Sequence, residues 1–97
     1  MSNVTFSGGI PSSAVVTDES GTIVAENERN KYIFVRNMSQ TETLWLSFGT
    51  SAAEVGKGVP LMPLEFYEFG TTVMPSAGIQ AVAPTGKTIS VSIFIGR

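Results

Sequence analysis

Short runs of alternating or β-branched residues, cut every few positions by glycine, proline or polar turn residues, leave this chain little choice but β-structure. No window keeps helical periodicity for the roughly dozen residues that a stable helix needs. The best helical candidate, 51–55, is bracketed by Gly49 and Gly56. Residues 14–17 and 22–25 read as two strands of a hairpin around Asp18-Glu19-Ser20-Gly21, where an acidic residue opens the turn and glycine closes it. Residues 31–37 and 43–48 follow, separated by a polar loop of hairpin length, Met38-Ser39-Gln40-Thr41-Glu42. Then come 59–62 and 64–69, with Pro60 and Pro63 holding the first to an edge or a bend, and finally 78–83 and 88–95 around Pro84-Thr85-Gly86-Lys87. About eight short strands at this spacing predict an all-β fold, a single small antiparallel β-sandwich or jelly-roll-like domain over 14–97.

Alternation then says which faces are dry. Ile89, Val91, Ile93 and Ile95 alternate with Thr88, Ser90 and Ser92, so the last strand has one core face and one small polar face. Leu44, Leu46 and Phe48 share a face likewise, which turns Trp45 outward. Residues 32–35 and 64–69 carry apolar or aromatic side chains on both faces. Residues 1–13 differ: they are small, polar and glycine-rich, with Val4, Phe6 and Ile10 as the available anchors, and read as a flexible N-terminal arm, either a frayed end or one that orders against a partner.

Composition closes many functional routes. The chain has no cysteine and no histidine, which removes disulfides, thiolate nucleophiles, cysteine-based zinc sites and the commonest general base. Its formal net charge of −2 gives no electrostatic reason to approach nucleic acid or an anionic membrane. No apolar run approaches the ~18 residues of a membrane span, and no secretory leader opens the chain, so synthesis and folding in a cytoplasm are expected. The tripeptides Asn3-Val4-Thr5 and Asn37-Met38-Ser39 are accordingly read as chance matches to a glycosylation acceptor.

The remaining motifs are weak. Gly86-Lys87-Thr88 imitates the end of a phosphate-binding loop, but Ala81 stands where its first glycine belongs, and Thr88 opens a strand where that loop requires a helix. Asp18/Glu19, Glu26/Glu28 and Glu65/Glu68 do not converge as a general acid and base must, and read as solvating charges. No cofactor, metal or catalytic residue is expected.

Only 14% of the residues are charged, low for a small soluble domain, whose average is about 25%. Tyr32, Phe34, Trp45, Phe66, Tyr67 and Phe69 are too many rings for one small core. Each carries about 150–250 Å² of surface, so a share of them is expected to form a partner interface. A sugar-stacking platform is the other use of outward rings, although Asp, Asn and Gln are sparse around them.

At Arg29-Asn30-Lys31-Tyr32-Ile33-Phe34-Val35-Arg36-Asn37-Met38-Ser39, Leu44-Trp45-Leu46-Ser47-Phe48-Gly49 and Gly58-Val59-Pro60-Leu61-Met62-Pro63, the order of elements resembles small virion proteins of tailed bacteriophages. Those share a basic residue before an aromatic strand ending in Asn-x-Ser, a second strand closing in Phe-Gly, a glycine-rich link and a Leu-x-Pro step. The resemblance spans roughly residues 26–95. Where that pattern continues with Pro-Gly, this chain has Pro63-Leu64. The resemblance implies a non-enzymatic structural protein of the virion: a head decoration or cement protein on the capsid surface. It would associate with itself, as a homotrimer by analogy with the threefold positions of shells, and bind the major capsid protein, with Val4, Phe6 and Ile10 of the arm among the contacts. A tail or spike accessory domain with a carbohydrate-binding role is the alternative.

Overall fold

The computed structural model describes residues 9–70 and 78–97. Eight strands follow one another: β1 (Gly9–Val16), β2 (Gly21–Val24), β3 (Tyr32–Asn37), β4 (Leu44–Phe48), β5 (Val59–Leu61), β6 (Phe66–Phe69), β7 (Ile79–Val82) and β8 (Ile89–Gly96). They form two four-stranded antiparallel sheets, ordered β1-β8-β3-β6 and β2-β7-β4-β5. The sequence-based reading of an all-β sandwich of about eight short strands is what the chain adopts.

The connectivity is not the one that loop lengths suggest. β1 and β2 lie in different sheets, as do β3 and β4, β5 and β6, and β7 and β8. Apart from β4 with β5, strands adjacent in sequence do not pair. The pairings instead run β1 with β8, β2 with β7, β3 with β6 and β4 with β5. This is one long antiparallel hairpin with its tip at the β4–β5 connection. Rolling it up adds the β3–β8 and β4–β7 ladders and gives jelly-roll order. The expected 14–17/22–25 hairpin is therefore a corner between sheets. Its turn residues serve that corner: Asp18 Oδ2 accepts the Gly86 N–H at 2.9 Å, and Thr17 O accepts the Ala83 N–H at 2.9 Å, tying it to the β7–β8 connection.

The core lies between the sheets and is aliphatic. Ile33 and Val35, Leu44 and Leu46, Leu61, Ile79 and Ala81, and Ile89, Val91 and Ile93 are all buried, joined by Val16 and Val24. Alternation therefore located the dry faces of β4 and β8, while in β3, apolar on both faces, the structure is what sets Ile33 and Val35 inward. Phe48 is the exception: it holds the inner register opposite Ile79 but stays exposed at one end of the sandwich.

Two polar side chains are buried among the described residues, Asn30 and Asn37. Asn37 ends β3 with Nδ2 donating to the carbonyls of Glu42 (2.8 Å), Leu61 (2.9 Å) and Met62 (3.3 Å), while Oδ1 accepts the Ser39 N–H (2.8 Å). The first half of the Asn-x-Ser motif is thus a clamp between the β3–β4 connection and the end of β5. Next to it, Glu65 N–H donates to Met62 O at 3.0 Å, closing a turn over Met62-Pro63-Leu64-Glu65. Leu64 takes φ +63° there, the left-handed conformation for which Pro-Gly turns supply glycine.

Residues 9–13, read as part of the arm, belong to β1: Gly9 to Ser13 pair with Gly96 to Ser92 without a break in register. Uncharged small residues fit an edge strand as well as they fit a tether, and β8 supplies the ladder that decides between the two. Val4 and Phe6 lie outside the described residues, and position 10 lies in β1 opposite Ile95.

Candidate interaction surface

Opposed residues in an antiparallel pair share a face, so register assigns each aromatic residue to a side. On the outer face of the first sheet stand Phe94 of β8, Tyr32, Phe34 and Arg36 of β3, and Phe66 and Glu68 of β6. The rings meet diagonally across the strands. Tyr32 and Phe94 pack edge to face with centroids 6.2 Å apart, and Phe34 and Phe66 stack at 5.3 Å. The outer face of β3 is half-buried by these neighbours, and Phe66 is 52% exposed. Beyond Phe94 the same face runs onto Gly9, where any Cβ would occupy the space of the Phe94 ring.

Polar groups fix this band. The Tyr32 hydroxyl donates to Glu68 Oε2 at 2.5 Å, and Arg36 Nε donates to the Leu64 carbonyl at 3.1 Å. Burial, the hydrogen bond to Glu68 and the negative charge of Glu68 together push the Tyr32 phenol up to about 12. The acceptor carbonyl belongs to the strained turn, so Arg36 ties the aromatic band to an apolar rim of exposed Met62 and Leu64. Glu65 Oε1 accepts the Met62 N–H at 3.0 Å and further holds that turn.

The six sequence-predicted interface residues go to three places. Tyr32, Phe34 and Phe66 form the outer band. Tyr67 and Phe69 take the inner register of β6, opposite Val35 and Ile33, at the sandwich margin. There Phe69 packs edge to face on Phe48 at 5.1 Å and stacks with Tyr67 at 6.3 Å, linking the two sheets. Trp45 lies on the outer face of the second sheet, opposite Pro60 and Val82, and is half-buried. Val82 shares that outward register yet is only 4% exposed. The β4–β5 connection reaches across to this side, where the Ala53 N–H donates to Ser20 Oγ at 2.8 Å and Ala53 is itself buried.

Phe94 was not among the residues singled out from sequence. Its signal was present: it follows Ser90 and Ser92 at period two on the face opposite Ile89, Val91 and Ile93. Leu64 carried a signal as well, in its place after proline.

The carboxylates do not gather. Asp18, Glu65 and Glu68 each accept the structural hydrogen bond already described, Glu54 pairs with Lys57 at 3.7 Å in the open, and Glu26 and Glu28 are exposed. Among the described residues there is no group of three or more acidic, histidine or cysteine side chains placed to hold a metal ion. The Gly86-Lys87 step is a tight turn closed by Lys87 N–H to Pro84 O at 2.9 Å, and it leads into a strand. What the geometry offers is a rigid apolar band with an acid and a guanidinium at its margin, suited to docking. The chain matches no known protein family, no curated protein and no solved structure.

Proposed function

We propose that this chain is a non-enzymatic structural protein of a phage virion, a head decoration or cement protein that associates with itself and staples the capsid shell. The observation that carries the reading is the outer band of Phe94, Tyr32, Phe34 and Phe66: four rings packed on one sheet face, fixed by Tyr32–Glu68 and Arg36–Leu64, with Phe66 52% exposed at its margin. Pre-organised aromatic rings are the usual anchors of protein interfaces, because little side-chain freedom remains to be lost on docking. A β-sandwich that presents them can close into a ring, and a homotrimer suits the threefold positions of a shell. The major capsid protein is the second partner. Several weak contacts carried on one rigid oligomer then act at high effective concentration, so that the shell is held without any single strong interface.

Phe66 tests this directly. Burying its exposed half is worth about 2 kcal/mol, roughly thirtyfold in Kd. Phe66→Ala is expected to weaken self-association by about that factor in light scattering while leaving the fold intact. A wild-type protein that stays monomeric at micromolar concentration, or an alanine variant that associates as tightly as wild type, overturns the reading.

A carbohydrate-binding role on a tail or spike draws on the other sheet. Trp45 stands there with Ser47, Gln80 and Thr22 on the same outward register, and Thr22 Oγ1 donates to Gln80 Oε1 at 2.9 Å. A ring beside hydroxyl and amide groups is what a sugar face needs. Binding on a glycan array that is lost with Trp45→Ala would move the assignment to that role.

A further inference from the structure

We infer that β1 is a second self-association site, one that joins two copies of this chain edge to edge about a twofold axis through Ser13. Each sheet of the sandwich ends in two edge strands, and natural edges are blunted by shortness, proline, charge or bulges. β5 is three residues long and contains Pro60. β2 is four residues long, with its register broken between Thr22 and Val24. β6 is four residues long and carries Glu68. β1 is eight residues long, holds no charged residue and pairs with β8 without interruption, leaving Pro11 as its one blunting residue. Among the described residues no strand pairs with its other side. A cleft of about 210 Å³ beside it, lined by Ala14, Val16, Ile23 and Ala81, opens toward β2.

The order of residues in β1 identifies the occupant. Gly-Ile-Pro-Ser-Ser-Ala-Val-Val reads nearly the same in size and polarity in both directions from Ser13. An antiparallel second copy centred there sets Ser13 against Ser13, Ser12 against Ala14, Pro11 against Val15 and position 10 against Val16. Small residues meet small ones and apolar residues meet apolar ones. These pairs also keep the inner and outer registers of the two sandwiches aligned, as antiparallel pairing requires. Such a contact is isologous, so each pair away from the axis occurs twice. It also covers Val15, which at 70% is the most exposed of the large apolar residues described. No charge on the strand opposes its own copy.

The axis itself supplies the test. Ser13 is exposed, so both Ser13→Lys and Ser13→Asp can be accommodated in the folded chain. Either one brings like charges face to face in the pair, whereas a mixture of the two brings opposite charges together. Sedimentation equilibrium of the full chain is run in a Phe66→Ala background, so that association through the aromatic band is weakened about thirtyfold. Each charged variant is expected to dissociate at least tenfold more readily than the Phe66→Ala parent, and the equimolar mixture is expected to recover the parent's affinity. A parent that remains monomeric at about 100 µM, charged variants that associate like the parent, or a mixture no tighter than its components would each overturn the proposal. None of these outcomes bears on the aromatic band, whose own test is the loss of association on Phe66→Ala alone.

Discussion

Asn37 shows how a motif recognised by its letters can owe its presence to the fold. Its amide is fully buried and serves three carbonyls and one N–H. Asn37→Ala leaves the Glu42 carbonyl without its donor and the Ser39 N–H without its acceptor, at about 1–3 kcal/mol each. A loss of roughly 3 kcal/mol in urea unfolding is the expected outcome, and a change below 1 kcal/mol would show that water replaces the amide. The same burial makes Asn37 unavailable to a glycosyltransferase in the folded chain, which speaks against reading Asn37-Met38-Ser39 as an acceptor. Tyr32 is the second residue whose chemistry is set by its neighbours. Its phenol keeps its proton in the folded protein up to about 12, against 10.0 in a free tyrosine. Between these values the folded state binds more protons than the unfolded chain, so this contribution is fully present below pH 10 and is lost as pH rises toward 12. Tyrosinate absorbance should show one group titrating near pH 12, and Glu68→Gln should lower that midpoint, because the charge and the charged acceptor both go. An unmoved midpoint would leave burial as the whole cause.

At the level of elements, the strands were legible and their partners were not. Alternation in β4 and β8 marked the inner faces because a one-residue slip would turn every core side chain into water, whereas β3, apolar on both faces, carried no such mark. Loop length carried no such information: the turn between 17 and 21 and the loop between 37 and 44 are short enough for hairpins, yet both cross from one sheet to the other. Nothing local distinguishes a tight turn that returns within a sheet from one that steps to the facing sheet, since the choice rests on ladders to strands far along the chain. Gly58 shows the same dependence. Its φ of +85° suits glycine, but the tighter constraint is that a Cβ would sit 2.5 Å from Leu46 O, a contact that exists only because β4 and β5 pair. The turn before β6 is where local preference and structure disagree. Leucine in the left-handed region costs about 1–2 kcal/mol, and glycine would release that while adding about 0.5–1 kcal/mol of chain entropy to be lost on folding. Leu64→Gly is therefore expected to raise stability by roughly 0.5–1 kcal/mol in thermal unfolding. If it also weakens association, the exposed Leu64 side chain belongs to the docking rim.

For the whole molecule, the rolled hairpin puts the termini of the described fold in one sheet and the tip of the hairpin in the other. β1 and β8 pair along their full lengths, so Gly9 lies beside Gly96 and next to Phe94. This geometry sets where an N-terminal truncation should be made. Deleting 1–10 would remove two residues of the β1–β8 ladder together with the arm, and a loss of binding would then have two causes. Deleting 1–8 leaves every described pairing in place. Under the proposed cement role the shorter deletion should leave the melting temperature within a few degrees of wild type, since about 1 kcal/mol shifts a domain of this size by 4–8 °C. Self-association should also be unchanged, because neither the aromatic band nor the β1 edge loses a residue. Capsid affinity should fall, as Val4 and Phe6 go with the deleted segment. The three readouts separate the possible roles of these eight residues. A lower melting temperature would assign them to the fold, a change in oligomeric state would assign them to self-association, and undiminished capsid binding by a well-folded truncation would remove the arm from the shell contact altogether.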